Sequence, residues 1–221
     1  MRTILILLAL AFATPIFAQS DPEDWPGKLN TAKNTSSITD IEREVIFELN
    51  KVRSNPQRYA EQYLEPLHSA YNGKIYSYPN QEPIRTKEGM AALTECMAIL
   101  QKTAPCPILK PAEGLIKSGR LLVTDQQSGG IGHITRKGLT PQKRMEIFGE
   151  WDIASAEDLA YGSFEARQIV IALLIDDGVP ERSHRKNILN PEFHFAGVAF
   201  GNHPNYKTIC VIDYAGEYKD K

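Results

Sequence analysis

Apolar residues at helical spacing open the patterned part of the chain: Ile41, Val45, Ile46, Leu49 and Val52 recur three or four apart and so share one face of an α-helix. Thr39-Asp40-Ile41-Glu42 ahead of them has the capping-box form, in which hydroxyl and carboxylate satisfy each other's orphan backbone donors. Pro56 opens a second short helix carrying Tyr59, Ala60, Tyr63 and Leu64. From Glu65 to Arg85 the periodicity dissolves into prolines, Asn72-Gly73 and three tyrosines, Tyr71, Tyr76 and Tyr78, which predicts a long loop or irregular hairpin. The tyrosines read as surface packing. Thr86 then caps a helix over 87–101, 112–124 is a further helix, and Thr140-Pro141 starts one that stops near Gly149.

The most apolar helix runs over 164–177 behind Ser163, and Gly178 and Pro180 end it. Two strands follow, 195–200 and 208–214, joined by a six-residue turn segment. Helices early and an antiparallel pair late make an α+β domain. One domain over 38–221 suits a chain of 221 residues, preceded by a polar leader, 19–37, read as flexible.

The ends and the composition narrow the setting. Arg2, the apolar run from Ile4 and the small residues up to Ala18 form a secretory signal, 1–18. Thr14-Pro15 interrupts that run well short of the roughly 20 apolar residues a membrane span needs, so stable membrane insertion is not expected. The chain is expected to be secreted or periplasmic. A net charge of −2 with Lys and Arg scattered along the sequence argues against nucleic acid and does not favour acidic partners. Of the three cysteines, Cys96 and Cys106 are the pair favoured for a disulfide in an oxidising compartment, and Cys210 reads as a buried strand residue.

Asp176 and Asp177 close the apolar helix, where the macrodipole disfavours extra negative charge by about 0.3–1 kcal/mol. A nearby cation, a metal or the arginines Arg182 and Arg185 would compensate. His184 follows in Ser183-His184-Arg185-Lys186-Asn187-Ile188-Leu189, and His133 ends the glycine-rich turn Ser128-Gly129-Gly130-Ile131-Gly132-His133. Two imidazoles with carboxylates suit a zinc-like divalent ion, although this spacing matches no compact metal motif.

Three segments together resemble a known family. Asn50-Lys51-Val52-Arg53-Ser54-Asn55-Pro56 with Tyr59-Ala60, Ala156-Glu157-Asp158-Leu159-Ala160-Tyr161-Gly162, and His184-Arg185-Lys186-Asn187-Ile188-Leu189-Asn190-Pro191 with Phe193 and Gly197-Val198-Ala199 are similar to bacterial-type members of the CAP superfamily. That superfamily comprises cysteine-rich secretory, antigen-five and pathogenesis-related proteins with an SCP-like extracellular domain. The resemblance spans about residues 39–216. It implies an α-β-α sandwich with a central antiparallel sheet, and a cleft of two histidines and two acidic residues: His133, Glu157, Asp176 and His184. Asp177 is the alternative to Asp176. Ala156, Asp158 and Ser183 depart from the family's Gly, Asn and Gly, and Asp176 stands where a glutamate is usual.

Three functions follow from these readings. The first is a non-enzymatic extracellular binding module, with a divalent metal such as zinc in the cleft and a lipid, sterol or peptide in an adjoining groove. The second is a metal-dependent hydrolase with Glu157 as general base, for which no Gly-x-Ser-x-Gly or His-Glu-x-x-His motif is present. The third is an interaction domain with a vestigial cleft. Oligomeric state is open.

Overall fold

The computed structural model describes residues 25–78 and 82–221, so the expected signal segment lies outside the described residues. α1 (Asp40–Ser54) starts where the sequence places it, with the Thr39 N–H donating to Glu42 Oε2 at 2.7 Å. α2 (Pro56–Tyr59) continues as a wider turn over Ala60–Leu64 and a tighter one over Glu65–Ala70. The expected irregular hairpin is a small antiparallel sheet of β1 (Tyr71–Asn72), β2 (Ile75–Tyr76) and β3 (Ile84–Arg85). Tyr71 and Tyr76 meet with tilted rings, 4.8 Å between centroids, and these two and Tyr78 lean on the core.

α3 (Met90–Leu100) begins three residues later than the sequence reading. The Lys87 and Glu88 N–H groups donate to the Asp177 carboxylate, and the Thr86 hydroxyl turns to the Lys74 carbonyl instead of capping the helix. β4 (Lys110–Pro111), α4 (Glu113–Gln126) and α5 (Pro141–Phe148) follow, and Thr140 caps α5 as expected. β5 (Gly149–Tyr161) is a strand that periodicity did not predict, as is the helix α7 (Ser183–Ile188). Between them, α6 (Ala166–Ile175) is shorter than the helix expected over 164–177. β6 (Phe195–His203) and β7 (Lys207–Asp220) form a hairpin longer than expected.

The main sheet has the order β4-β6-β7-β5. It is antiparallel across β6, β7 and β5, and β4 adds a two-residue parallel pairing at one edge. Strand alternation divides its side chains between two layers. Ala199, Val211 and Leu159 meet Leu122 and Val123 of α4, while Val198, Cys210, Ile212 and Tyr214 join the larger core built with α1, α3 and α6. Helices therefore cover both faces, and the domain is the α+β, α-β-α sandwich expected. α4 lies close on the sheet because Gly197 and Gly119 sit at the contact. A Cβ on Gly197 would come within 2.2 Å of the Leu115 carbonyl carbon.

Two expectations fail here. Residues 25–37 of the supposed flexible leader are packed: Trp25, Leu29 and Ala32 are buried, and Asn50 Nδ2 of α1 donates to the Leu29 carbonyl at 2.9 Å. Three core contacts and one buried amide fix a segment whose composition is otherwise polar. Cys96 and Cys106 are free. Cys96 sits on the core side of α3 with its thiol pushed up to about 12 by burial, whereas Cys106 lies beyond the helix, its N–H bonded to the Arg53 carbonyl. Cys210 is buried in β7, as read.

The fully buried Arg53 guanidinium ties the layers together by donating to the carbonyls of Pro107, Ile188, Asn190 and Phe193 at 2.6–3.0 Å. The close approach of α4 predicts that Gly197→Ala lowers unfolding free energy by about 1–3 kcal/mol. Gly27→Ala, which meets nothing within 4 Å, should change it by less than about 0.5 kcal/mol. Urea unfolding measures both.

Candidate functional site

β5 carries Glu157 and Asp158 side by side, and an extended strand sends adjacent side chains to opposite faces. Glu157 points to the α4 and α5 face. Its Oε1 meets His133 Nδ1 at 2.8 Å, and its Oε2 is ion-paired with Arg144 of α5, whose side chain is fully buried. Arg144 also donates to the His133 carbonyl at 2.7 Å and to the Leu139 carbonyl. Directly across the ladder from Glu157 stands Asp213 of β7. Neither Asp213 oxygen has a hydrogen-bond partner among the described residues, nor have the neighbouring Ser118 hydroxyl and Arg144 Nε. Burial first, then the adjacent Glu157 charge, raises the Asp213 pKa well above the usual carboxylate range.

The opposite face holds the second pair. Asp176 leaves the end of α6 in a left-handed conformation, φ 56°, which turns its carboxylate toward the start of α7. Oδ1 meets His184 Nδ1 at 2.7 Å and Oδ2 accepts from the His184 N–H at 3.0 Å. The awkward carboxylate at a helix end is thereby put to use as the acceptor for the next helix. Arg185 and Arg182 do compensate at this helix end, through its carbonyls: they donate to those of Leu174, Ile175 and Asp176. Asp177, the alternative to Asp176, turns away to hold the segment before α3. The hydrogen bond from Asp176 raises the His184 pKa, against the opposing effect of burial.

Asp158 lies on this same face. Asn187 Nδ2 of α7 donates to its Oδ1 at 2.7 Å, so the asparagine of the His-Arg-x-Asn run ties α7 to β5. Burial raises the Asp158 carboxyl to about 7, with the Asn187 hydrogen bond and the His184 charge opposing. Tyr214, also buried, has its hydroxyl pushed up by burial and then by Asp158.

The structure thus brings His133 together with Glu157, and His184 together with Asp176, as two separate pairs. Among the described residues no group of three or more His, Cys, Asp or Glu side chains is placed to hold a metal. Both carboxylates face protein donors and leave only the two imidazole Nε2 atoms without a partner in these pairs, so the set as arranged does not fit a resident four-ligand zinc.

Sequence reasoning missed the supports of the His133 turn. Gln126 Nε2 donates to the Gly132 carbonyl at 2.6 Å, the Tyr161 hydroxyl accepts from the Gly132 N–H at 3.1 Å, and His203 Nε2 bonds the Gly130 carbonyl at 2.7 Å. Tyr161 packs edge-on to His203 at 5.4 Å. Each comes from a different element, so only the glycine-rich turn itself signalled the contact region.

Residues 125–214 match the model of the cysteine-rich secretory protein family, CAP. Under half of the chain is thus similar to the CAP family. The match starts at the end of α4, closes in β7 and includes both histidine–carboxylate pairs. No curated protein matches. Among solved structures, an outer surface protein from Borrelia burgdorferi is similar at 21% identity and TM-score 0.41, over 57% of this chain and 94% of that one. An SCP-domain extracellular protein from Bacillus anthracis str. Ames is similar at 18% identity and TM-score 0.37, over 50% of this chain and 34% of that one. Within the matched segment, Asp158 is the residue with the clearest physical consequence.

A carboxyl whose folded pKa is raised from 3.8 to about 7 binds its proton more tightly in the folded chain, so stability is lost as pH rises between those values. The loss reaches up to about 4 kcal/mol at 1.36 kcal/mol per pH unit. His184 acts in the same sense: its raised value adds stability below about pH 6.5 that disappears as pH climbs through the folded pKa. Asp158→Asn keeps an acceptor for Asn187, so the variant should be more stable than the parent at pH 8 and show a flatter profile from pH 4 to 8 in thermal unfolding. Arg144→Met should cost about 3–5 kcal/mol at pH 7, because it strands Glu157 beside Asp213. Denaturant titration at pH 7 and pH 4 should show that cost shrinking in acid.

Proposed function

We propose that this CAP-like chain is an exported, non-enzymatic binding module in which His133 and His184, on separate faces of the sheet, each offer Nε2 for a polar contact, beside a distinct groove for an amphiphile. The observation that carries this reading is the way each imidazole is held. A buried carboxylate takes Nδ1 at 2.7–2.8 Å, which fixes ring orientation and raises the basicity of the other nitrogen. The carboxylates are meanwhile committed to protein donors. A general base at Glu157 would have to break an ion pair with a buried guanidinium, which argues for binding rather than hydrolysis.

A separate groove of about 920 Å³ between the N-terminal segment, α1 and the start of α6, lined by neither histidine, supplies room for a ligand of lipid or peptide size. Trp25, Phe47, Tyr78 and Phe164 give it apolar walls, and the buried Glu48–Lys51 pair, 2.7 Å, lies at its base with Arg167. This suits an amphiphile with a long apolar body and a polar end. A divalent ion is the lesser reading, since the arrangement offers it imidazole nitrogens alone.

Trp25 lines the groove, and Trp151 is the only other tryptophan. In a Trp151→Phe background, cis-parinaric acid should quench Trp25 emission saturably, and Phe47→Ala with Phe164→Ala should weaken this by roughly tenfold or more. Unchanged affinity would sink the groove reading. A peptide and ester panel should show no turnover, and activity abolished by Glu157→Gln would install the hydrolase in its place. Calorimetry should find no tight zinc binding. Tight binding lost in His133→Ala/His184→Ala would restore the metal site.

A further inference from the structure

The scattered charge of the sequence is gathered by the fold. Lys117 and Arg120 project from the solvent side of α4, and Arg136 and Lys137 come from the loop that follows the His133 turn; together they line one cleft of about 520 Å³ floored by Leu139 and Phe148. The acid among the lining residues, Asp125, is spent on the loop itself, where it accepts from the Arg136 N–H at 2.9 Å and faces Arg136 Nε at 3.4 Å. Four cations line the cleft with one acid, and Glu42 pairs with Arg120, which leaves a local excess of two positive charges on a chain whose net charge is −2. Arg120 reaches the Glu42 carboxylate at 3.2 Å yet keeps 44% of its side chain exposed, and Arg136 keeps 66%.

Close along the chain to Arg136 and to the cleft residue Phe148 are large exposed apolar side chains. Ile131 and Ile134, on the same loop, are 64% and 59% exposed, and Ile147, next to Phe148 at the end of α5, is 46% exposed. Cations alone would accept any anion. Cations with exposed isoleucines on the adjoining chain segments match a surface that presents negative charge above hydrocarbon.

We propose that the cleft between α4 and the 135–139 loop, with Ile131, Ile134 and Ile147, is a peripheral docking surface for an anionic phospholipid membrane. The lysines and arginines meet the phosphate groups and the isoleucines enter the boundary of the acyl region. No helix of the described residues is long and apolar enough to cross a membrane, so this attachment is electrostatic at long range, apolar at contact and reversible by salt. It stands apart from the amphiphile groove, whose lining residues it does not share.

Co-sedimentation with vesicles tests it, using the chain from Gln19 onward, which keeps every described residue. Vesicles containing one-third phosphatidylglycerol should bind the protein, pure phosphatidylcholine vesicles should not, and 0.5 M salt should release it. Lys117→Glu with Lys137→Glu should weaken binding roughly 30-fold or more, and Ile131→Ser with Ile134→Ser by roughly tenfold. All four positions are exposed, and circular dichroism verifies that the variants fold. Equal binding to both vesicle types, no binding to either, or charge variants that bind as well as the parent would each overturn the proposal. So would capture by dextran sulfate without any vesicle binding, which would assign the cleft to a polyanion instead. None of these outcomes touches parinaric acid binding, so this inference and the groove stand or fall separately.

Discussion

Adjacent residues on an extended strand cannot face the same way, and the arrangement of the site depends on that constraint acting at Glu157 and Asp158. β5 hands one carboxylate to each face of the sheet. On one face Glu157 is held by Arg144 and holds His133; on the other Asp158 is held by Asn187, beside His184. Because the two helical layers are separated by the sheet, the four residues that the family pattern places in one cleft are organised here as two imidazoles, each backed by its own carboxylate. The departure from asparagine at position 158 adds a buried acid on the His184 face, next to the α7 anchor.

Buried polar groups hold this scaffold as much as its apolar core does. Arg53 gathers four carbonyls from the chain leading to β4 and from the link between α7 and β6, and Asn50 clasps Leu29 and Leu109 from one helical turn away. Both lie in the Asn-Lys-Val-Arg stretch that marks the family resemblance, so that stretch serves packing geometry. Glu42 similarly extends its role beyond the cap by accepting from the Phe200 N–H of β6 at 2.9 Å. Each such group sits in low dielectric with its partners supplied, the condition under which a polar core specifies one arrangement.

Elements with strong local signals were legible in the sequence: the Thr39 and Thr140 caps, the apolar run of α6 and the β6–β7 hairpin. β5 was not, because Trp151, Asp152, Glu157 and Asp158 break any alternation of apolar and polar, and its buried charges are accommodated only through partners elsewhere in the chain. α7 begins from Arg182 in a left-handed conformation with no side-chain cap, since Asp176 supplies the acceptor from outside the helix. Trp25 and Leu29 gave no periodic signal, being anchored by tertiary contacts alone. The site residues were found by motif spacing. Their division between two faces follows from the strand that went unread, and the basic cleft arises from two pairs, Lys117 with Arg120 and Arg136 with Lys137, sixteen or more residues apart, that only the fold brings together.

β5 also forms one edge of the main sheet, and a thirteen-residue strand with an open edge invites pairing with another molecule. Its register slips between Asp152 and Ser155, with one extra residue on β5, and Ile153 takes φ 71° while its N–H folds back onto Asp152 Oδ1 at 2.7 Å. The extra residue bends the strand just where a straight edge would otherwise offer an uninterrupted row of donors and acceptors. Such an irregularity works against edge-to-edge pairing, and a deletion that straightened it would exchange a local kink for a longer row of free donors and acceptors.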